Sequence, residues 1–366
     1  MSKWITLAIF SLSLNAVARA PGTYSSLKAD LQRTSSKTLL SWVNGLVAES
    51  APSRMIGMPG HDKARDYLIA AIKKLDPKNR GKLSVVNFLP DVDEGKRFYQ
   101  KDFDDKVEGK IPHSNPDYYK FLTFTKYMQE MLEKLKSNKG DNIIWEKTGI
   151  NSNKVLIVTA HYDTISQDPQ NLMIRVKEAM PGANYNASGV AVALGLINTL
   201  TEIDLNYSVE VVLLDWQGIG FLGSYHHAKE LKSRGKEIMG VVNLEMLGQD
   251  TSFFDKTKKT GNMSVYTRAN SDEEKFVKKL IEAGSKITTK VSFELKPIGF
   301  ENSDNIRYWE QGFLAATFSQ NWEDDFNPKF FQSAQDTPET LNHETLYQAY
   351  QYLGGSVIGT LLDLTK

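Results

Sequence analysis

The sequence predicts an α/β protein: a three-layer αβα sandwich in which helices cover both faces of a twisted, mostly parallel mixed sheet. Two observations carry this. From residue 142 onward, short apolar runs alternate with longer stretches of helical periodicity, the pattern that βαβ units produce. At least one run, Val155–Ala160 (VLIVTA), is apolar at nearly every position, as a strand buried on both faces must be. In such sheets ligands sit in the crevice beyond the C-terminal strand ends.

Along the chain, Ser26–Glu49 reads as one helix, with Leu27, Leu31, Leu39, Leu40, Val43 and Leu46 on an apolar face. Residues 53–75 combine a Gly/Pro loop with a helix that turns Ala64, Tyr67, Leu68, Ala71 and Ile72 inward, and a strand follows at Leu83–Phe88. Residues 89–140 form a surface insertion: Asp91–Asn115 is polar, charged and broken by Gly and Pro, and a helix with a solvated charged face lies near Tyr118–Leu135. Strands are expected at Asn142–Lys147, Val155–His161, Val209–Trp216, Val241–Met246, Met263–Thr267, Val291–Leu295 and Leu314–Phe318. Helices are expected at Ala187–Glu202, Gly223–Arg234, Asp272–Lys286, Asp304–Gln311 and Glu344–Leu364. Residues 21–366 are read as a single domain.

Composition narrows the function. The 44 basic and 44 acidic residues balance, which argues against nucleic acid or an anionic membrane surface as the main partner. The chain has no cysteine, so disulfides, thiol nucleophiles and Cys metal sites are excluded. Lys3, the apolar stretch Ile5–Val17 and a small-x-small triplet predict an export signal cleaved after Ala18, or after Ala20, where Pro21 would follow the cut. That stretch is shorter than the ~20 residues a membrane span needs, so a periplasmic or secreted protein without a span in its mature chain is expected.

The chemistry concentrates in a few segments. VLIVTAHYDT (155–164) is a strand ending in His-x-Asp, and PGANYNASG (181–189) is a loop opening a helix. VEVVLLDWQGIGFLGS (209–224) is a strand, a Gly-rich turn and a helix start, and NLEMLG (243–248) ends another strand. Ser303-Asp304 and the Asp-Thr-Pro-Glu of 336–339 complete an ordered set. Over most of 50–365 this set resembles the co-catalytic zinc aminopeptidase family, which includes glutamate carboxypeptidase, glutaminyl cyclases and the non-catalytic ectodomains of nicastrin and the transferrin receptor. The resemblance implies a zinc-exopeptidase-like fold.

Carried over position by position, the resemblance implies five metal-ligand positions and one general base. His161 stands at the first ligand, with Asp163 placed to orient it. Tyr185 stands where the family has the Asp bridging both metals, Gln217 at the general base, Gly218 at the ligand beside it, Glu245 at an Asp ligand, and Gln332 at the final His. An amide takes no proton from water near neutral pH, and glycine offers no ligand atom. Only His161 and Glu245 keep donor groups, for the same ion, whereas zinc generally takes three or four. No catalytic residue and no metal are therefore expected, the alternative being one weakly bound zinc. Tyr185 is large enough to fill space the ions occupy in the family.

Plainer readings stand beside these. His161 serves equally as a hydrogen-bonded structural histidine, Asp163 as a turn cap, and Tyr185 and Gln332 as partners across a vacated site. His61, His113, His226, His227 and His343 show no ligand spacing, and the rings of the adjacent His226 and His227 point to different sides of a helix. Asp215 lies one step deeper than Gln217 on the same strand face, away from the mouth. Asn184, Asn186, Ser188 and Ser224 are expected to line the surviving crevice. Three functions compete: a non-catalytic protein binding a peptide, protein or small ligand in the old crevice; an exopeptidase with a remodelled mononuclear zinc site; and an assembly factor acting through 89–140.

Overall fold

The computed structural model describes residues 20–250, 261–323, 326 and 328–364; the expected export signal, up to residue 19, lies outside them. Eight strands form one sheet: β1 (Lys82–Phe88), β2 (Gly140–Lys147), β3 (Asn151–His161), β4 (Tyr207–Leu214), β5 (Glu237–Leu244), β6 (Gly261–Tyr266), β7 (Val291–Lys296) and β8 (Ala315–Gln320). Their order is β1-β2-β4-β3-β5-β8-β6-β7. The centre, β4-β3-β5-β8, is parallel, whereas β1, β2 and the β6/β8 pair join antiparallel. The sheet is mixed, as expected.

Strand alternation divides β3 between two cores. Leu156, Val158 and Ala160 pack under α2 (Ser36–Glu49), α3 (Pro59–Leu75), α6 (Ser188–Leu200) and the C-terminal helix α10 (His343–Leu361). Val155 and Ile157 face the other way, toward α7 (Leu222–Ser233) and the short α9 (Asn305–Glu310). The helix α8 (Ser271–Ser285) also lies on the first face, against α10. With both faces covered, the open end of the parallel strands is left for a site.

Two local expectations are corrected. The single helix over Ser26–Glu49 is two, α1 (Tyr24–Leu31) and α2, because the Ser35 side chain accepts from Thr38 N at 3.1 Å and starts a new helix. Within 91–115, read as irregular, lies α4 (Val92–Lys106), capped by Asp91, whose carboxylate accepts from Glu94 N at 3.1 Å. Its buried residues Gly95, Tyr99 and Phe103 recur every four positions. It pairs with α5 (Pro116–Leu135) at a crossing so close that a Cβ on Gly95 would lie 2.8 Å from Leu132 Cδ1. Arg307 of α9 fastens this hairpin: its guanidinium bonds Glu94 at 2.7 Å and the Gly220 carbonyl at 2.8 Å, and lies 4.4 Å over the Phe98 ring. No helix among the described residues is long and apolar enough to cross a membrane.

Candidate ligand-binding crevice

The C-terminal ends of β3, β4 and β5 converge with a tight turn, Ala183–Ala187, that precedes α6. Two buried charges hold that turn. The Asp336 carboxylate accepts from Asn184 N at 2.8 Å and Tyr185 N at 2.9 Å. The Arg54 guanidinium donates to the carbonyls of Tyr162, Pro181 and Gly182 at 2.7, 2.6 and 2.8 Å. Burial lowers Arg54 to about 10 and raises Asp336 to about 6. Arg54 did not stand out in the sequence, because a lone Arg in a loop looks like an ordinary surface residue, and Asp336 was marked only as part of the Asp-Thr-Pro-Glu segment, without this role.

The centre of the crevice is a chain of side chains across the strand ends. Tyr185 Oη donates to Gln217 Oε1 at 2.5 Å, and Gln217 Nε2 reaches Glu245 Oε1 at 3.4 Å. Glu245 also accepts from Ser303 Oγ. His161 Nε2 lies 3.6 Å from Glu245 Oε1, an ion-pair approach longer than a hydrogen bond, while its Nδ1 meets the Asp163 carbonyl at 3.1 Å. Burial alone would depress the imidazole; Asp163 and Glu245 outweigh it and hold His161 above its ordinary value. Burial also drives Tyr185 well above the usual tyrosine range, with Glu245 and Asp163 adding to it.

Around this centre the backbone is tightly specified. The Asp163 carboxylate accepts from Gln217 N and Gly218 N, both at 3.0 Å, and so clamps the turn after β4. A Cβ on Gly218 would meet Ile165 Cγ2 at 2.6 Å. Trp216, Phe221, Met246 and Gln332 all hold left-handed backbone, with φ of 57, 53, 60 and 48°.

The four residues expected to line the crevice face inward instead. Asn186 Oδ1 accepts from Gly189 N and Met246 N, and its Nδ2 donates to the Leu244 carbonyl. Asn184 Oδ1 accepts from Gly248 N, Ser188 Oγ accepts from Leu247 N, and Ser224 Oγ donates to Asp304 at 2.5 Å. Their polar groups are consumed in joining the turn to β5 and α7 to α9. Asp215 is likewise structural, accepting from His61 Nε2 at 2.8 Å and from Asp141 N at 2.9 Å. His227 points to Tyr308 and Glu210 while His226 stacks on Phe88, so their rings do diverge.

What lines the crevice is mostly aromatic. A cavity of about 450 Å³ opens above the Tyr185–Gln217 pair. One wall is the hairpin, through Phe98, Tyr99 and Phe124; the other is the segment after β8, through Trp322, Phe326 and Phe331. The rings touch in sequence: Tyr185 to Phe331 at 5.5 Å, Phe331 to Trp322 at 5.4 Å, and Tyr99 to Phe124 at 5.9 Å. The insertion thus contributes an aromatic face to the crevice, where the sequence suggested only a solvated charged helix.

The donors present do not fit a two-zinc centre. Tyr185, where the resemblance implies a bridging ligand, carries a phenol whose proton is engaged by Gln217, Gly218 contributes no atom, and Gln332 is an amide. Among the described residues no three His, Asp or Glu side chains come together as a metal-ligand set.

Comparison with known proteins follows the geometry. The sequence profile of peptidase family M28 matches residues 142–355, more than half of the chain. Aminopeptidase YwaD of Bacillus subtilis is 24% identical over 235 residues, 62% of this chain and 46% of that protein. A probable zinc metalloprotease of Pyrenophora teres f. teres is 28% identical over 111 residues, 30% of this chain and 22% of that protein. The matched region therefore spans less than half of either relative. Among solved structures, BSAP, a zinc aminopeptidase from Bacillus subtilis, shares the fold with a TM-score of 0.64 at 18% identity, covering 90% of this chain and 96% of that one. Glutaminyl cyclase of Porphyromonas gingivalis has a TM-score of 0.60 at 14% identity, covering 88% and 97%.

Proposed function

The chain belongs to peptidase family M28, and from that premise we propose that it is an exported, non-catalytic member that binds a peptide in the crevice its relatives use for hydrolysis. One observation carries this reading. The Tyr185 hydroxyl is bonded to Gln217, and the resemblance implies the bridging ligand at the first position and the general base at the second. The two groups that the chemistry would need are thereby turned into partners of each other. An amide in place of the carboxylate removes general-base catalysis, ordinarily worth about 10²–10⁴ in rate. The aromatic cavity supports retained binding, since ligand sites are typically apolar hollows of ~300–1,000 Å³ with a few polar groups. The export signal supports a periplasmic or secreted location.

The test is elemental analysis of protein produced with added zinc, together with turnover of amino-acid arylamides. Less than stoichiometric zinc and no turnover are expected. One tightly held zinc per chain, with turnover abolished by chelator and by His161→Ala, would overturn the reading. A second reading, one weakly held zinc, is favoured by a single feature: His161 Nε2 is buried without a hydrogen-bond partner and faces Glu245. Two donors fall short of the three or four that zinc generally takes, which is why we place it second.

A further inference from the structure

Building on the reading that the crevice binds peptide without cleaving it, we propose that the residue it captures is aromatic and carries a ring N–H or O–H, with that donor received by Gln332 Oε1. The proton arrangement of the site leads to this. The Glu245 carboxylate already accepts from Ser303 Oγ, and it faces Gln217 with an oxygen, so Gln217 presents Nε2 to it. Gln217 Oε1 then takes the Tyr185 hydroxyl hydrogen. With its hydrogen spent, the Tyr185 oxygen can only accept, so it offers no donor to the Gln332 side chain that lines the same hollow. Gln332 Oε1 is left buried, without a partner, on the cavity wall. A buried acceptor that no described residue satisfies calls for a donor from outside.

The walls define the body that brings this donor. Phe124 and Tyr99 stand on the hairpin side, and Trp322 and Phe331 on the other, so a guest meets aromatic faces and edges that suit a flat ring. Charge defines what it must lack. Among the described residues no Lys, Arg or His lines the cavity, whereas Asp102 and Glu245 do. Lys106 neutralises Asp102 at 2.5 Å without lining the hollow. A carboxylate on the ligand would find no cation, so the ring belongs to a residue within a chain rather than to a free amino acid.

Calorimetric titration of the full chain with four probes tests this: N-acetyl-tryptophanamide, its N-methylindole analogue, N-acetyl-tryptophan and N-acetyl-leucinamide. The first should bind about tenfold or more tighter than each of the others, as expected when a buried acceptor gains or loses its donor. Gln332→Met should erase the difference between the indole and its N-methyl form, and Trp322→Ala should weaken both. Equal binding of the N-methyl or leucine probe, preference for the free acid, or binding of none of the four would each overturn the proposal, and the wild-type comparison alone decides this if a variant misfolds. Zinc content and arylamide turnover, measured on the same preparation, keep the outcomes separate. Tight zinc with turnover defeats the non-catalytic reading, whereas absence of both with no probe binding defeats only the ligand assignment.

Discussion

The Tyr185 hydroxyl donates to the Gln217 side-chain carbonyl at 2.5 Å, joining the turn before α6 to the end of β4 across the floor of the crevice. Both side chains are buried. The bond is a structural tie between two elements.

Tyr185→Phe keeps the ring and removes the tie. It leaves Gln217 Oε1 without its donor in a buried place. A loss of about 1–3 kcal/mol is expected in urea denaturation at neutral pH. Unchanged stability would mean that the two side chains do not bond.

Reversal is a stricter test of the scaffold. Tyr185→Asp, Gln217→Glu, Gly218→Glu and Gln332→His together restore the family's donors, with Glu245 and His161 completing the set. The obstacle is Ile165, whose Cγ2 would lie 2.6 Å from the new Cβ at position 218, so Ile165→Ala should accompany the four changes. The fivefold variant is expected to melt at a higher temperature with zinc than without, because a ligand of the native state alone raises its stability. A folded variant indifferent to zinc would show that the strand ends have moved away from the family's geometry.

Asp304 gives a pH prediction. Burial raises its carboxyl from 3.8 to about 7, with the Ser224 hydroxyl and His161 pulling the other way. A folded value above the unfolded one favours the protonated form, so this contribution is full below pH 3.8 and is lost as pH rises through about 7. Asp304→Asn should flatten the decline in stability across that window and match or exceed wild type at pH 8, by on the order of a few kcal/mol at most. Denaturant midpoints at pH 5 and pH 8 measure it. A variant less stable than wild type at pH 8 would contradict it.

A part-buried ion pair helps to tether the hairpin. Glu94→Ala removes the carboxylate that meets Arg307 at 2.7 Å, leaving the guanidinium with Glu310 and the Gly220 carbonyl. A loss of about 1–3 kcal/mol is expected, with faster amide hydrogen exchange confined largely to residues 92–106. Uniform acceleration across the chain would show that the hairpin is not a separately tethered unit.

Where the sequence was periodic, it was readable. The apolar runs of β3 and β4 and the motifs beside them located the strand ends, and with them His161, Tyr185, Gln217 and Glu245, within one crevice. Helix α4 escaped because nine of its fifteen residues are charged and a glycine stands in its first turns, although Asp91 and the Gly95, Tyr99, Phe103 spacing signalled it. Asn184, Asn186, Ser188 and Ser224 were misplaced because short polar residues beside a site serve equally as ligand contacts and as clips for neighbouring backbone. Only coordinates distinguish the two. Arg54 had no local signal, and the motif at Asp336 did not disclose what its carboxylate holds, since the partners of both are backbone groups far away in the chain.

The left-handed backbone at Trp216, Phe221, Met246 and Gln332 has a consequence for how a guest is received. Such conformations in residues with side chains cost about 1–3 kcal/mol each and persist only where surrounding packing over-determines them. A mouth framed in this way is set before anything arrives and has little freedom left to surrender on docking. Encounter should then resemble a key entering a fixed lock: selectivity resides in outline, misfits are turned away, and free and occupied forms differ by little more than side-chain rotation.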